Sequence, residues 1–250
     1  MPIWIQAGLW GLAAGGALVI GAAVAWFLHV PRRVVASIMA FGAGVLISAL
    51  AFDLVDEAET SGGLTATVLG FLVGAVAYVL ANVSLARRGA QHRKRSGGQQ
   101  PSEGEQAGSG SAIAIGALLD GIPESVVLGI GLLAGRGVSL SVLAAVFISN
   151  VPEGLSSAAG MKRGGRSARY VFGVWIGVAV ASGVAGLLGC LLLQGASTQV
   201  IAAITALAAG AILTMVADTM IPEAFERTQL YTGLITTLGF LTAFAIERAG

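Results

Sequence analysis

The chain has 250 residues, of which 56% are hydrophobic and only 11% charged, and its formal net charge is +1. Soluble globular chains carry about 25% charged residues, so this composition, with a mean hydropathy of +0.85, points to a membrane protein. The near-zero net charge gives no global field to attract nucleic acid. The single cysteine, Cys190, cannot form an internal disulfide and reads as a small buried apolar residue.

A helix needs about 20 mainly apolar residues to cross the hydrocarbon core, and eight stretches meet that requirement. The first covers about 4–28 and starts in MPIWIQAGLW. No Lys or Arg precedes its apolar run, so it is expected to be a retained helix, not a cleaved signal peptide. The second, about 34–56, ends in FDLVDEA, and the third covers about 63–86. Residues 87–110, RRGAQHRKRSGGQQPSEGEQAGSG, are rich in Gly, Ser and Gln. Such a segment cannot bury enough apolar surface to order itself, and it is predicted to be a flexible cytoplasmic loop whose basic half attracts anionic lipid. The fourth span, about 111–134, contains LLDGIPESVVLG, and the fifth, about 138–160, contains SNVPEGL. The sixth covers about 169–193, the seventh about 197–221 leading into DTMIPEA, and the eighth about 229–247. The expected fold class is all-α: a single polytopic membrane domain, a bundle of eight transmembrane helices. Spacings such as Gly11–Gly15, Gly70–Gly74 and Gly173–Gly177 let helices approach closely in lipid. With 37 glycines present, these spacings support a tight bundle without marking any one pair as a dimer motif, and a homodimer is left open.

The basic residues test the span count, because cytoplasmic loops collect Lys and Arg. Arg32 and Arg33 follow the first span, and Arg87, Arg88, Arg93, Lys94 and Arg95 follow the third. Lys162, Arg163, Arg166 and Arg169 follow the fifth, and Arg227 follows the seventh. Only Arg136 and Arg248 fall on the other side, so eight spans divide the basic residues 12 to 2. That split predicts both termini outside.

Acids inside such spans are costly, about 2.5–3.5 kcal/mol for a central Asp, and they mark ion or proton paths. Four phrases place a polar residue four positions before a Glu: Asp53–Glu57, Asp120–Glu124, Ser149–Glu153 and Thr219–Glu223. Positions four apart share a helix face, so each phrase aims two oxygen-bearing groups at one point. Pro123, Pro152 and Pro222 each precede the Glu and free a backbone carbonyl one turn upstream, which must be satisfied or line a cavity. Asp120, Glu124, Asn150 and Glu153 could surround one divalent cation, with Ser149 completing the shell, if the fourth and fifth spans face each other. No Lys or Arg lies mid-span to neutralise these acids. Asp53, Glu57, Asp218 and Glu223 are expected to line the path. For Asp56, Glu57 and Glu59, simple placement at the headgroup level is an equally good reading, and for Glu226 and Arg227 it is the better one. His29, His92 and the tryptophans read as interfacial or loop residues. No nucleophile elbow, phosphate-binding loop, cysteine pair or HExxH-type pair occurs, so no enzyme activity is expected.

With DGIPES and SNVPEG in successive spans, flanked by AGVLISALAFDLVDEA and AILTMVADTMIPEAFE, the chain resembles the ZIP (Zrt/Irt-like) family of divalent metal transporters in its prokaryotic branch. The resemblance implies eight spans and a metal site between the fourth and fifth. It also implies passage of the ion into the cytoplasm across the inner or plasma membrane without nucleotide hydrolysis. Asp120 stands where that family usually has His, Gly121 replaces Asn and Ser149 replaces His or Gln, while Glu124 and Glu153 match its glutamates. The sixth span lacks the bridging Glu of some members, which implies one site of mostly oxygen ligands. Oxygen ligands favour harder ions such as Mn²⁺ or Fe²⁺ over imidazole-loving zinc, although zinc accepts carboxylates and stays the nominal substrate. The expected partners are the metal ion and the lipid bilayer, with no permanent cofactor. The altered ligands also allow a second reading, a degenerate member that binds metal without moving it and acts as a sensor or scaffold.

Overall fold

The computed structural model describes residues 1–96, 99–102, 104–134 and 140–249. Arg136 and the start of the predicted fifth span at 138–139 lie outside the described residues, as do positions 97, 98 and 103 of the loop. Among the described residues the secondary structure is helical: α1 Ile3–Phe27, α2 Arg32–Ala49, α3 Val55–Leu85, α4 Ser109–Gly131, α5 Leu140–Arg163, α6 Ala168–Leu193, α7 Thr198–Met215, α8 Ile221–Thr228 and α9 Thr232–Ala249. Wider π-type turns at Leu50–Leu54, Ala86–Ala90 and Val216–Met220 join several of them.

Among the described residues six helical stretches are long and apolar enough to cross a membrane. This differs from the eight read from the sequence, because α2 continues into α3 as one run, Arg32–Ala90, and α7 continues through α8 into α9 as another, Thr198–Arg248. Their 59 and 51 residues are far more than the roughly 20 that one crossing needs. The backbone leaves helical geometry at Gly63 (φ 79°, ψ 165°) and again at Gly89 (φ 99°, ψ 6°) in the first run, and at Gln229 (φ 44°, ψ −115°) in the second. Glycine reaches positive φ at no steric cost, which suits Gly63 to the first break.

The outward faces are apolar. On α6, Ile176, Val180, Val184, Leu188 and Leu191 are all exposed and recur at helical spacing, and α3 exposes Leu69, Leu72, Val76 and Leu80. Stripes this long are unusual against water and are consistent with embedding in a bilayer.

The helices approach closely at many of the glycines, as expected of packing in lipid, although Gly173 and Gly177 of α6 meet no neighbouring atom. α1 runs parallel to α5: Asn150 Nδ2 donates to the Ala14 carbonyl (3.0 Å) and Lys162 Nζ to the Trp26 carbonyl (2.7 Å). α1 and α6 are antiparallel, with Gly8 against Leu187 and Gly15 against Ala179. α3 and α7 are parallel, with Gly70 against Ala203 and Gly74 against Leu207. α2 and α9 are parallel, with Gly239 on Phe41 and Phe52 on Phe244 at 5.1 Å between ring centroids. α4 and α6 are parallel, Tyr170 donating to the Gly110 carbonyl near one end and Gly129 meeting Gly186 further along.

The basic connections gather at one end of this bundle. Arg32 and Arg163 line one cavity with His29 and Lys162, and Arg33 and Arg227 line another. Arg166 donates to Ser109 Oγ and the Pro101 carbonyl. The acids of FDLVDEA lie toward the other end, where Asp53 and Asp56 are within electrostatic reach of Glu247.

A side chain at Gly154 would overlap the Leu18 carbonyl, whereas one at Gly16 would meet open space. Gly154→Leu should therefore cost about 1–3 kcal/mol or more by overpacking the α1–α5 contact. Gly16→Ala should be neutral or stabilise by up to about 1 kcal/mol. Unfolding of the detergent-solubilised protein measures both, and equal effects would contradict the packing described.

Candidate cation site

α4 and α5 carry the two proline-glutamate phrases within continuous helix, Pro123 in α4 and Pro152 in α5. Asp120, Glu124, Ser149, Asn150 and Glu153 are all buried, none more than 3% exposed. What meets the acids comes from the segment following α3. Arg93 grips Asp120 in a fork: Nε lies 2.9 Å from Oδ2 and Nη2 lies 2.9 Å from Oδ1. Tyr78 of α3 donates to Asp120 Oδ1 (2.6 Å) and accepts from Arg93 Nη2 (2.8 Å). Arg93 Nη1 donates to Asn82 Oδ1 (2.7 Å), so each nitrogen of the guanidinium has a partner. Bidentate guanidinium–carboxylate pairs of this kind are the strong, geometry-specific ones. Burial works against the Arg93 charge, but Asp120 beside it holds the pKa above its ordinary value.

Lys94 reaches both helices at once. Its ammonium lies 2.7 Å from Glu153 Oε2 and 3.4 Å from Asp120 Oδ2. One cation is thus shared by a carboxylate of α4 and a carboxylate of α5. Among the described residues no ion pair joins Glu124 to them. Glu124 has Asn150 as a side-chain hydrogen-bond partner, while its Oε1 has no hydrogen-bond partner and it faces a small apolar cavity lined by Leu46, Val127, Val146 and Ile212. Ser149 spends its hydroxyl on the Val146 carbonyl (2.9 Å). Among the described residues no three His, Cys, Asp or Glu side chains form a ready metal-binding group.

Glu223 anchors the same incoming segment. Its Oε1 accepts from the Ser96 amide (3.0 Å) and the Ser96 hydroxyl (2.8 Å), and its Oε2 lies 3.6 Å from Arg95. The Ser156 hydroxyl of α5 lies within hydrogen-bond distance of both Glu223 Oε1 (3.0 Å) and the Lys94 carbonyl (2.5 Å). Gln100 Nε2 donates to the Arg93 carbonyl (2.8 Å) and the Ser157 carbonyl (3.1 Å). Asp53 and Glu57 are half-buried and Asp218 is exposed, unlike the fully buried acids of α4 and α5. Asp53 and Asp218 each fall in a π-type turn, a feature frequent at functional positions.

Composition reads 87–110 as a flexible loop, yet some of its side chains are buried against the helices. Arg93, Lys94, Ser96 and Gln100 are each no more than 4% exposed. The physical reason is polar: bare carboxylates in a low-dielectric interior are expensive unless paired, and this segment supplies the positive charge that no span carries. Sequence reasoning missed Tyr78, Arg93, Lys94, Ser96, Gln100 and Ser156. The signal that could have found the cations was the lack of any mid-span Lys or Arg beside three mid-span acids. No protein-family model and no curated protein matches the chain.

Asp120→Asn strands the Arg93 charge, and breaking a buried pair from one side costs about 3–5 kcal/mol. Adding Arg93→Gln should recover part of that loss. A double-mutant cycle of unfolding free energies should give a large coupling, and simple additivity would contradict the pairing.

Proposed function

We propose that the chain is a secondary carrier that brings divalent metal cations into the cytoplasm, similar to the ZIP family, with zinc as nominal substrate and Mn²⁺ or Fe²⁺ favoured by the oxygen-rich ligands. The observation that carries this reading is the position shared by Asp120 and Glu153, where one buried cation sits within 3.4 Å of carboxylates from two different helices. A dehydrated divalent ion needs such converging oxygens, and this reading assigns Glu124, Asn150 and Ser149, all within four residues of those carboxylates on the same two helices, as its further ligands. Carriers of this kind bind near the bilayer midplane and move one group of helices against another.

Eight crossings with both termini outside remain our reading of the topology. The parallel and antiparallel pairings support it, because every pair of helices described above has the relative direction that alternating crossings require. In this reading the breaks at Gly63 and Gln229 would be the two additional reversals, and the gathering of basic loops at one end supports a cytoplasmic assignment for that end. Asp53 and Glu57 would then meet incoming ions, with Asp218 and Glu223 toward the exit. The second reading, a sensor or scaffold that binds metal without moving it, is favoured by one observation: a basic segment fills the site.

Glu124→Ala and Glu153→Ala should each cut metal uptake into reconstituted vesicles by more than about tenfold while leaving the protein in the membrane; full uptake in both variants would defeat the ligand assignment. Binding without flux in the unaltered protein would favour the sensor. In competition uptake, Asp120→His should shift preference toward zinc, since imidazole suits that ion; unchanged preference would count against the selectivity argument.

A further inference from the structure

We propose that the segment around Arg93–Ser96 is a tethered competitor for the metal, a built-in occupant that must leave before a divalent ion can bind. The inference rests on the carrier reading and adds regulation to the same site.

The first observation is charge. Asp120 and Glu153 carry two negative charges, and Arg93 and Lys94 meet them with two positive charges at 2.7–3.4 Å. A divalent cation supplies the same two charges in one ion. Exchange of the two side chains for one metal therefore keeps the charges of Asp120 and Glu153 balanced in both states. The position of the Lys94 ammonium is itself the place where an ion would touch both helices.

The second observation is shape. Gly116 of α4 and Gly160 of α5 leave the space that the segment fills. A side chain at Gly116 would run into the Arg93 stem, and one at Gly160 would overlap the Arg95 carbonyl and the Gln100 amide. The third is fastening: Ser96 on Glu223, Lys94 O beside Ser156 and Gln100 on Ser157 hold the backbone in place. A loop that merely lay near acids would need neither the matching gaps nor these backbone contacts.

Metal affinity is the direct readout. A closed state that dominates leaves the competent one populated at about 0.1–10%, so removing the competitor raises apparent affinity by about tenfold or more. The full chain in lipid nanodiscs would be titrated with Mn²⁺ and Zn²⁺ by calorimetry. Four forms are compared: the unaltered protein, Lys94→Gln, Gly160→Ala and Asp120→Asn with Glu153→Gln. Gly160→Ala displaces the segment without touching any charge and favours the helix, so it covers the case in which Lys94→Gln does not fold. We expect both single variants to bind at least about tenfold more tightly and the double acid variant to lose binding. If the acids are needed but Gly160→Ala binds no more tightly, the competitor is overturned and the metal site stands. If no form binds either metal, both the competitor and the carrier reading fall.

Discussion

The buried pairing of Asp120 and Glu153 with Arg93 and Lys94 is the constraint on which this structure turns. Each carboxylate taken from water into a helical bundle costs several kcal/mol, and mutual attraction offsets that cost only when geometry is good and the remaining hydrogen bonds are made. Here they are largely made. Asp120 is held by Arg93 and Tyr78, Arg93 is further held by Asn82, and Lys94 links Asp120 to Glu153. Such a network adds little net stability compared with an apolar core of equal volume. Its retention in the interior of a chain this hydrophobic is therefore better explained by chemistry than by folding.

The architecture around it serves that network. Glycines allow α1 to lie against α5 and α6, and α3 against α7, near backbone contact. α4 and α5 are thereby fixed with their acids facing a common interior, and the connection between α3 and α4 can reach that interior because Gly116 and Gly160 leave room. Glu223, just beyond the π-type turn after α7, gives the connection a third anchor. Elements far apart in sequence thus meet at one small polar volume enclosed by apolar helices.

Much of the fold was legible in the sequence because lipid imposes simple rules: apolar runs of a set length become helices, and Lys and Arg gather at one end. The break at Gly63 was less legible. FDLVDEAETSGGL reads as a polar gap between two spans, yet helical geometry continues through it with one residue out of line. The acids of DGIPES and SNVPEG stood out because nothing in the spans balanced them. Their partners did not, because a segment such as QHRKRSGGQQ carries no apolar periodicity to betray burial. Its insertion is dictated by charges on other helices, and hydrophobic pattern does not record that.

The central claim is that α4 and α5 together present a cation position that a basic segment and a divalent metal occupy in turn. Determining the structure of the zinc-loaded protein, with the metal located by its anomalous scattering, tests it most directly. The account predicts zinc bound by oxygens of both Asp120 and Glu153 at about 2.0–2.2 Å, with the Lys94 ammonium and the Arg93 guanidinium withdrawn. Zinc bound elsewhere, or Lys94 still bridging both carboxylates in a metal-saturated protein, would contradict it.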